Sequence, residues 1–152
     1  MTAYEAARRP RPQAPTPPPA AKFGDGPGSR QQAATVFIVD DDESVRDSLS
    51  VLLESLGFEV MTHASGREVL ADDRCRTADC LIVDQHMPGM DGLTTLAALQ
   101  GAGAAVPAIL ITGRLDPEIA TRAAQLGVSA VLEKPFAATK LLELVRASTK
   151  PE

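Results

Sequence analysis

The sequence is poor in aromatic residues, with no tryptophan, one tyrosine and four phenylalanines among 152 residues. Proteins that hold single-stranded nucleic acid use aromatic rings as stacking platforms, and this chain has almost none to offer. Positive charge is also scarce after the first 35 residues, where ten lysines and arginines face eighteen acidic residues. A net charge of −8 over that part repels a phosphate backbone. We therefore expect no direct nucleic-acid binding by this chain.

Long apolar runs and cysteine clusters are also missing. No stretch approaches the ~20 apolar residues needed to span a bilayer, and the N-terminus has no apolar core of a secretory signal. The two cysteines are Cys75, in a predicted loop, and Cys80, in a predicted buried strand. Two such thiols without metal-type spacing are typical of a reducing compartment. We therefore expect a cytoplasmic protein without membrane attachment.

The first 34 residues differ in composition from the rest. They hold seven of the twelve prolines, most of them in RRPRPQAPTPPPA, followed by the Gly-rich stretch GDGPGSRQQ. Such a segment cannot bury enough apolar surface to form a core. We predict a disordered extension over residues 1–34 with local polyproline II character. Pro12 and Pro15 have the PxxP spacing that binds aromatic grooves, although this spacing arises easily by chance in a proline-rich tract.

From residue 35 onward, strand-like and helix-like patterns alternate five times. Alternation of this kind predicts right-handed βαβ crossovers. We therefore predict an α/β domain over residues 35–149, with one parallel sheet covered by helices on both faces and a short tail at 150–152. The predicted strands are 35–40, 58–62, 79–84, 105–112 and 129–134, and the predicted helices are 43–56, 65–73, 90–101, 115–126 and 137–148.

Helical periodicity also predicts which side chains face the core. In the third helix, with Asp91 as its cap, we expect Leu93, Leu96 and Ala97 to point inward. The inward residues expected in the first helix are Val45, Leu49, Leu52, Leu53 and Leu56.

Polar residues follow the carboxyl ends of four predicted strands. Asp40 and Asp41 end the first strand, Asp84 the third, Thr112 the fourth and Lys134 the fifth. In an open α/β sheet, ligands bind outside this edge. One aspartate there could be a solvated turn residue, but the joint placement of five polar residues predicts a functional site.

The chemistry of this predicted site follows from its charges. Three carboxylates held close together repel one another and favour a bound cation, and hard oxygen ligands suit Mg²⁺. The lysine offers a point charge to an anion such as phosphate, and the threonine hydroxyl can donate to a phosphoryl oxygen. Such a set would stabilise a phosphoryl group in transfer. One carboxylate would then be the nucleophile that forms an acyl phosphate.

Four motifs, IVDDD, LIVDQHMPGMDG, LITG and LEKPF, occur in this order between residues 38 and 136. In order and spacing they resemble the receiver domain of bacterial two-component response regulators, and the resemblance extends over residues 35 to about 149. The resemblance is closest to receivers of the nitrogen-fixation type, which usually precede a helix-turn-helix output domain. It implies a flavodoxin-like, doubly wound (βα)5 sandwich with strand order 2-1-3-4-5. It also implies a signalling phosphoacceptor rather than an enzyme.

Carried over by position, the resemblance assigns roles to the acidic residues. Asp84 would be the phosphoacceptor. Mg²⁺ would be bound by Asp84, by Asp41 directly, by Asp40 through water and by the backbone carbonyl of His86. The implied partners are a histidine kinase or histidine phosphotransfer protein, and a downstream protein target or output domain. The downstream partner would respond to a changed surface of the fourth helix, fifth strand and fifth helix.

The resemblance also assigns roles on the other side of the site. Thr112 and Lys134 would contact the phosphoryl group. Val131 occupies the switch position where many receivers carry an aromatic residue. His86 and Arg114 stand two positions beyond the phosphoacceptor and the threonine, where fast self-dephosphorylating receivers often carry an amide or a carboxylate. We therefore expect slow loss of the phosphoryl group.

Two local features complete the predicted site. Asp42 and Glu43 follow the acidic pair, and we interpret them as favourable charges at the start of the first helix rather than as ligands. An X–Pro bond costs only ~0.5–1 kcal/mol to place in cis. The turn after Lys134 and the family resemblance both favour a cis bond between Lys134 and Pro135.

Parts of the sequence also resemble the motifs of other protein classes. DDDES at 40–44 resembles the opening of haloacid-dehalogenase-type phosphotransferases, but that interpretation leaves Asp84 and its loop unexplained. An EF-hand fails because Val45 stands where the loop needs glycine and Val51 where it needs glutamate. A non-phosphorylated interaction module stays open, although all five site residues are present. Because only a few residues follow the fifth helix, we expect either a single-domain regulator or the receiver of a longer DNA-binding protein.

Overall fold

The computed structural model describes residues 33–149. The PxxP spacing, nearly all of the segment predicted to be disordered and the tail lie outside the described residues. The strands are β1 (Thr35–Val39), β2 (Glu59–His63), β3 (Cys80–Asp84), β4 (Ala108–Thr112) and β5 (Ala130–Glu133). The helices are α1 (Glu43–Ser55), α2 (Gly66–Leu70), a 3-10 helix (Asp73–Thr77), α3 (Gly92–Gly101), α4 (Pro117–Gln125) and α5 (Ala138–Thr149).

The five strands form one parallel sheet in the order β2-β1-β3-β4-β5. This order and the α/β architecture confirm the predicted fold class. The central strands β1, β3 and β4 are almost entirely buried, which is why their sequences are continuous apolar runs rather than alternating ones. Alternate residues of each strand point to opposite faces, so two separate hydrophobic clusters cover the two faces of the sheet.

The sheet order determines where the functional edge lies. The order of the strands reverses between β1 and β3. From β1 the chain adds β2 on one side, and it then crosses back over β1 to add β3 on the other side. A crevice forms outside the carboxyl ends of strands on either side of such a reversal. The residues that follow β1 and β3 therefore meet in that crevice.

Aspartate side chains begin three of the helices that surround this edge. Asp42, Asp91 and Asp116 are the N-cap residues of α1, α3 and α4, and each accepts a hydrogen bond from a backbone N–H of the first helical turn. Such a cap satisfies one of the amide groups that the helix leaves without a partner. The helix-start position predicted for Asp42 and the cap predicted at Asp91 are both confirmed.

The segment after β2 differs from the prediction. Helix α2 ends at Leu70, and a separate 3-10 helix follows, with Asp72 as its cap. Cys75 lies in this helix and is buried, so its assignment to a loop was wrong. The Asp72 carboxylate accepts hydrogen bonds from Arg74 and contacts the ring of His63, and its pKa is held well below the usual range, chiefly by Arg74. This local network ends one helix and starts the next.

The inward faces were predicted only in part. Leu93 and Leu96 are buried, but Ala97 is exposed, because residues 93, 96 and 99 trace the face of α3 toward the sheet. In α1 only Leu53 is fully buried, and Leu56 is 41% exposed because it follows the last helical turn. Helix α1 packs mainly against the edge strand β2 and against β1, so its apolar face is less deeply covered.

Two further findings bear on the cellular setting. Among residues 33–149, no helix combines the length and apolar character that crossing a membrane requires. Cys75 and Cys80 are both free thiols, and burial raises the pKa of each to about 11.

Candidate functional site

Three carboxylates meet at the carboxyl edge of the sheet. Asp40, Asp41 and Asp84 each offer one oxygen, and these oxygens lie within 4.8 Å of one another. Asp84 is the last residue of β3, whereas β1 ends at Val39, so Asp40 and Asp41 begin the following loop rather than end the strand. Asp40 and Asp84 are each only 3% exposed, and Asp41 is exposed. The predicted acidic cluster therefore exists, with one solvent-facing member.

The loop after β1 is fixed around Asp40. Its side-chain Oδ1 accepts from the backbone N–H of Asp42 at 2.9 Å, and its backbone carbonyl accepts from Arg46 Nη1 at 2.7 Å. Its own N–H donates to the carbonyl of His63 at 3.1 Å. Burial raises the pKa of this carboxyl group, while the Asp42 N–H acts in the opposite direction. The Arg46 side chain thus supports the acidic loop by binding the backbone carbonyl of Asp40. The sequence did not indicate this role.

Asp84 has one carboxylate oxygen without a hydrogen bond. Among the described residues, its Oδ1 is the buried side-chain polar atom that lacks such a partner. The Nζ of Lys134 lies 3.3 Å from the same oxygen, close enough for an ion pair. Burial raises the pKa of Asp84, and the positive charge of Lys134 partly offsets this effect. This buried oxygen therefore has one charged neighbour and spare capacity to accept further bonds.

The backbone around Asp84 is held by its neighbours in sequence and space. The Gln85 N–H donates to the carbonyl of Ile111 at 2.7 Å, and the Gln85 Oε1 accepts from the N–H of Leu93 at 2.9 Å. Gly92 approaches so closely that a Cβ atom built on it would lie 2.6 Å from the Asp84 carbonyl oxygen. The role of Gln85 was not predicted. A buried amide directly after a strand-end aspartate is the signal that could have indicated it.

Thr112 ends β4 beside this cluster and is fully buried. Its Oγ1 lies 3.0 Å from His86 Nε2, 3.0 Å from the Arg114 carbonyl oxygen and 3.2 Å from the Arg114 backbone nitrogen. His86 itself is an exposed residue of the loop between β3 and α3. Its contact with Thr112 was not predicted, because the two residues are 26 positions apart in the sequence.

Lys134 completes the edge from the side of β5. Strand β5 ends at Glu133, one residue earlier than predicted, and the Lys134 N–H continues the pairing by donating to the Thr112 carbonyl at 2.8 Å. The Lys134 side chain is 41% exposed. The peptide bond between Lys134 and Pro135 is cis, which confirms the prediction.

The remaining predicted residue lies farther from the carboxylates. Val131 is half-buried and packs against the cluster on one face of the sheet. The structure thus brings together Asp40, Asp41, Asp84, Thr112, Lys134 and His86, with the Arg114 backbone beside Thr112.

The sheet order places acidic, hydroxyl and ammonium groups together at the carboxyl edge of an α/β domain. The family model described as the response regulator receiver domain matches residues 36–146. The chain therefore belongs to the response regulator receiver domain family.

Individual relatives agree with this membership. The chain is 38% identical over 117 residues to the transcriptional regulatory protein FixJ of Azorhizobium caulinodans, a match that covers 77% of this chain and 56% of that protein. It is 38% identical over 128 residues to nodulation protein W of Bradyrhizobium diazoefficiens, covering 82% and 56%. The chain thus spans about half the length of these curated relatives. Among solved structures, the chemotaxis protein CheY4 of Vibrio cholerae matches with a TM-score of 0.71 at 32% identity, covering 76% of this chain and 98% of that one.

Proposed function

We propose that this receiver domain accepts a phosphoryl group on Asp84 from the phosphohistidine of a histidine kinase or histidine phosphotransfer protein. The observation that carries this proposal is the buried Oδ1 of Asp84, which has no hydrogen bond but has Lys134 Nζ at 3.3 Å. A buried polar atom without a hydrogen bond is costly, and such atoms in native proteins call for an explanation. A nucleophile that must meet an incoming phosphorus atom is such an explanation.

The transfer uses groups that the edge already holds. The Asp84 oxygen forms a bond to phosphorus while the bond between phosphorus and the donor histidine nitrogen breaks, leaving an acyl phosphate on Asp84 and a free histidine on the donor. The ammonium group of Lys134 lies where the added negative charge develops. The chain itself is a signalling phosphoacceptor in this proposal and not an enzyme.

The acidic cluster fits a magnesium ion. The observation is the donor set itself: Asp40, Asp41 and Asp84 each offer one carboxylate oxygen, and these three oxygens lie within 4.8 Å of one another. Hard oxygen donors of this kind suit Mg²⁺, which keeps several water ligands. Asp40, Asp41, Asp84 and the His86 backbone carbonyl would hold the ion. When bound, it would neutralise charge on the phosphoryl oxygens.

The two exposed acids of the loop should differ in their effect on metal binding. Replacement Asp41→Ala is expected to weaken Mg²⁺ binding by at least tenfold, because Asp41 contributes an oxygen to the cluster. Replacement Asp42→Ala is the matched control, since this carboxylate accepts from Ser44 as the cap of α1. It should cost helix stability of about 1 kcal/mol and leave Mg²⁺ affinity nearly unchanged. A calorimetric Mg²⁺ titration measures both, and comparable losses would contradict the assignment.

The signal would leave the site through Thr112. Its hydroxyl is bonded to the Arg114 backbone, and the N–H of Leu115 donates to Glu133 Oε2 at 3.1 Å. If Thr112 turns toward a phosphoryl oxygen on Asp84, it gives up its bonds to Arg114. The loop from residue 113 to 116 and the start of α4 are then free to move.

Val131 limits the conformational change that can follow from a movement of Thr112. A valine has little reach, and its β-branched side chain has few χ1 states. The surface formed by α4, β5 and α5 should therefore change mainly by displacement of the loop and α4. This surface is the proposed contact for a downstream protein target or output domain.

The phosphoryl group should be long-lived. His86 points its Nε2 at Thr112, and Arg114 carries a positive charge, so neither residue is suited to hold an attacking water as an amide or a carboxylate would. We expect the phosphorylated wild type to decay more slowly than the His86→Asn and Arg114→Glu variants. Decay can be followed by intact mass after removal of the phosphodonor. Fastest decay in the wild type would contradict this expectation and would favour a role of His86 as a base toward water.

The wider context of the domain is also a proposal. We propose that the receiver spans residues 35–149, that residues 1–34 are an extension outside it, and that residues 150–152 follow it as a tail. We propose a cytoplasmic location, supported by the two buried free thiols. The matched relatives include proteins named as transcriptional regulators, and the matched region covers 56% of one and 25% of another. The second candidate is therefore the receiver of a longer DNA-binding regulator.

A further inference from the structure

The hydroxyl group of Thr112 is unusually crowded with polar neighbours. Its Oγ1 contacts His86 Nε2 at 3.0 Å, the Arg114 carbonyl oxygen at 3.0 Å and the Arg114 nitrogen at 3.2 Å. Thr112 is fully buried, and the three contacts come from two different loops. The ring of His86 therefore joins the loop after β3 to the loop after β4 through a single oxygen atom.

The donors and acceptors can be assigned by counting. A hydroxyl has one hydrogen to donate and two lone pairs to accept with. The Arg114 N–H can only donate, so it uses one lone pair. If His86 Nε2–H donates to the other lone pair and the Thr112 hydroxyl donates to the Arg114 carbonyl, all three contacts are hydrogen bonds. If the Thr112 hydroxyl donated its hydrogen to His86 instead, Thr112 Oγ1 and the Arg114 carbonyl oxygen would lie 3.0 Å apart with no hydrogen between them. The first arrangement is the favoured one.

In this arrangement the hydroxyl has no capacity left for a phosphoryl oxygen. To donate to a group on Asp84, it must withdraw its hydrogen from the Arg114 carbonyl. A rotation of the Thr112 side chain about χ1 also carries Oγ1 away from His86, because staggered rotamers are widely separated. The bond to His86 is therefore made in the resting orientation and lost in the phosphate-facing one.

We propose that the His86 imidazole is a positioning residue that holds Thr112 in its resting orientation, and that it thereby limits how tightly the site takes up a phosphoryl group. This inference rests on the proposed function of Asp84. It differs from an effect of His86 on an attacking water, because it acts through Thr112 and on an equilibrium rather than on hydrolysis. A change at His86 leaves its backbone carbonyl in place, so the side chain can be tested separately.

The test uses trifluoroberyllate, an inorganic analogue of the phosphoryl group, titrated in the presence of Mg²⁺. Binding is followed by NMR at the backbone amide of Gln85, a residue that is the same in every variant and follows Asp84 directly. One neutral hydrogen bond that exists only in the resting state opposes binding by roughly two- to tenfold. We therefore expect His86→Ala to bind the analogue two- to tenfold more tightly than the wild type. Unchanged or weaker binding would overturn the inference.

A second pair of variants shows whether His86 acts through Thr112. Thr112→Val removes the hydroxyl and keeps the shape of the side chain, so His86→Ala should have no effect on affinity in that background. The same tightening with valine present would mean that His86 acts elsewhere. His86→Gln places an amide N–H near the position of Nε2–H and should restore most of the wild-type affinity. If glutamine behaves as alanine does, the hydrogen bond is not the cause.

Failure of this inference and failure of the proposed function give different results. If the wild type does not bind the analogue at all, the assignment of Asp84 is wrong and the role of His86 falls with it. If the wild type binds but His86→Ala binds no more tightly, only the role of His86 is wrong.

Discussion

Replacement of Gly92 by alanine is expected both to destabilise the domain and to damage the proposed phosphorylation site. A Cβ atom at this position would lie 2.6 Å from the Asp84 carbonyl oxygen, 2.9 Å from Leu110 Cδ1 and 3.0 Å from Gln85 Cα. Two of these atoms belong to the backbone and cannot move as a flexible side chain could. Helix α3 must therefore shift away from the end of β3, or the end of β3 must shift away from the helix.

The cost of that shift can be bounded. Overpacking of a well-packed interior typically costs about 1–3 kcal/mol, and here the displaced backbone carries Asp84, the proposed nucleophile. We expect Gly92→Ala to lower the free energy of unfolding by about 2 kcal/mol or more, despite the better helix propensity of alanine. Its phosphorylation by acetyl phosphate in the presence of Mg²⁺ should fall by at least tenfold.

The same helix supplies the control. Gly101 ends α3, and nothing lies within 4 Å of a Cβ built on it. Gly101→Ala should be neutral or stabilising by up to ~1 kcal/mol, because alanine favours the helix more than glycine does. Urea unfolding curves compare the two variants. Equal stabilities of Gly92→Ala and the wild type would show that the close approach of α3 to Asp84 is not needed.

The sheet and the position of the site were predictable because both follow from patterns among residues that are neighbours in the sequence. Continuous apolar runs mark the buried strands β1, β3 and β4, and glycines or prolines mark the ends of most elements. Parallel strands bring their carboxyl ends to one edge. Residues at those ends, such as Asp84 and Thr112, were therefore placed correctly without knowledge of any contact between them.

Features that depend on tertiary contacts were not predictable in the same way. The ring of His86 meets Thr112 across 26 positions, and nothing in either local sequence indicates that meeting. The 3-10 helix that buries Cys75 depends on Asp72, whose partners His63 and Arg74 lie on opposite sides of it in the sequence. Helical spacing alone could not show that Ala97 lies at the solvent side of α3. In each case packing between elements decides the outcome.

The nucleophile is the assignment on which the rest depends. Asp84 is the one member of the acidic cluster that ends a strand and whose buried oxygen lies 3.3 Å from Lys134 Nζ. Asp40 is equally buried, but its Oδ1 already accepts from the Asp42 N–H. Removing Asp84 should therefore abolish phosphorylation rather than reduce it, since Asp84 is the carboxylate that pairs with Lys134 among residues 33–149.

Loss of a buried charge also changes stability, and the variants must separate the two effects. Asp84→Asn keeps the size of the side chain and lacks a nucleophilic carboxylate, whereas Asp84→Ala removes the side chain. Because burial raises the pKa of Asp84, the charged group is costly in the folded state, and neither variant is expected to prevent folding. A cooperative thermal transition in both would confirm that they can be compared with the wild type.

The most direct measurement is the intact mass of the protein after incubation with acetyl phosphate and Mg²⁺. We expect one added phosphoryl group on the wild type and on Asp47→Ala, a control at an exposed acid of α1. We expect none on Asp84→Ala or Asp84→Asn. Labelling of the folded Asp84 variants to the same extent as the wild type would contradict the assignment of Asp84 as the phosphoacceptor.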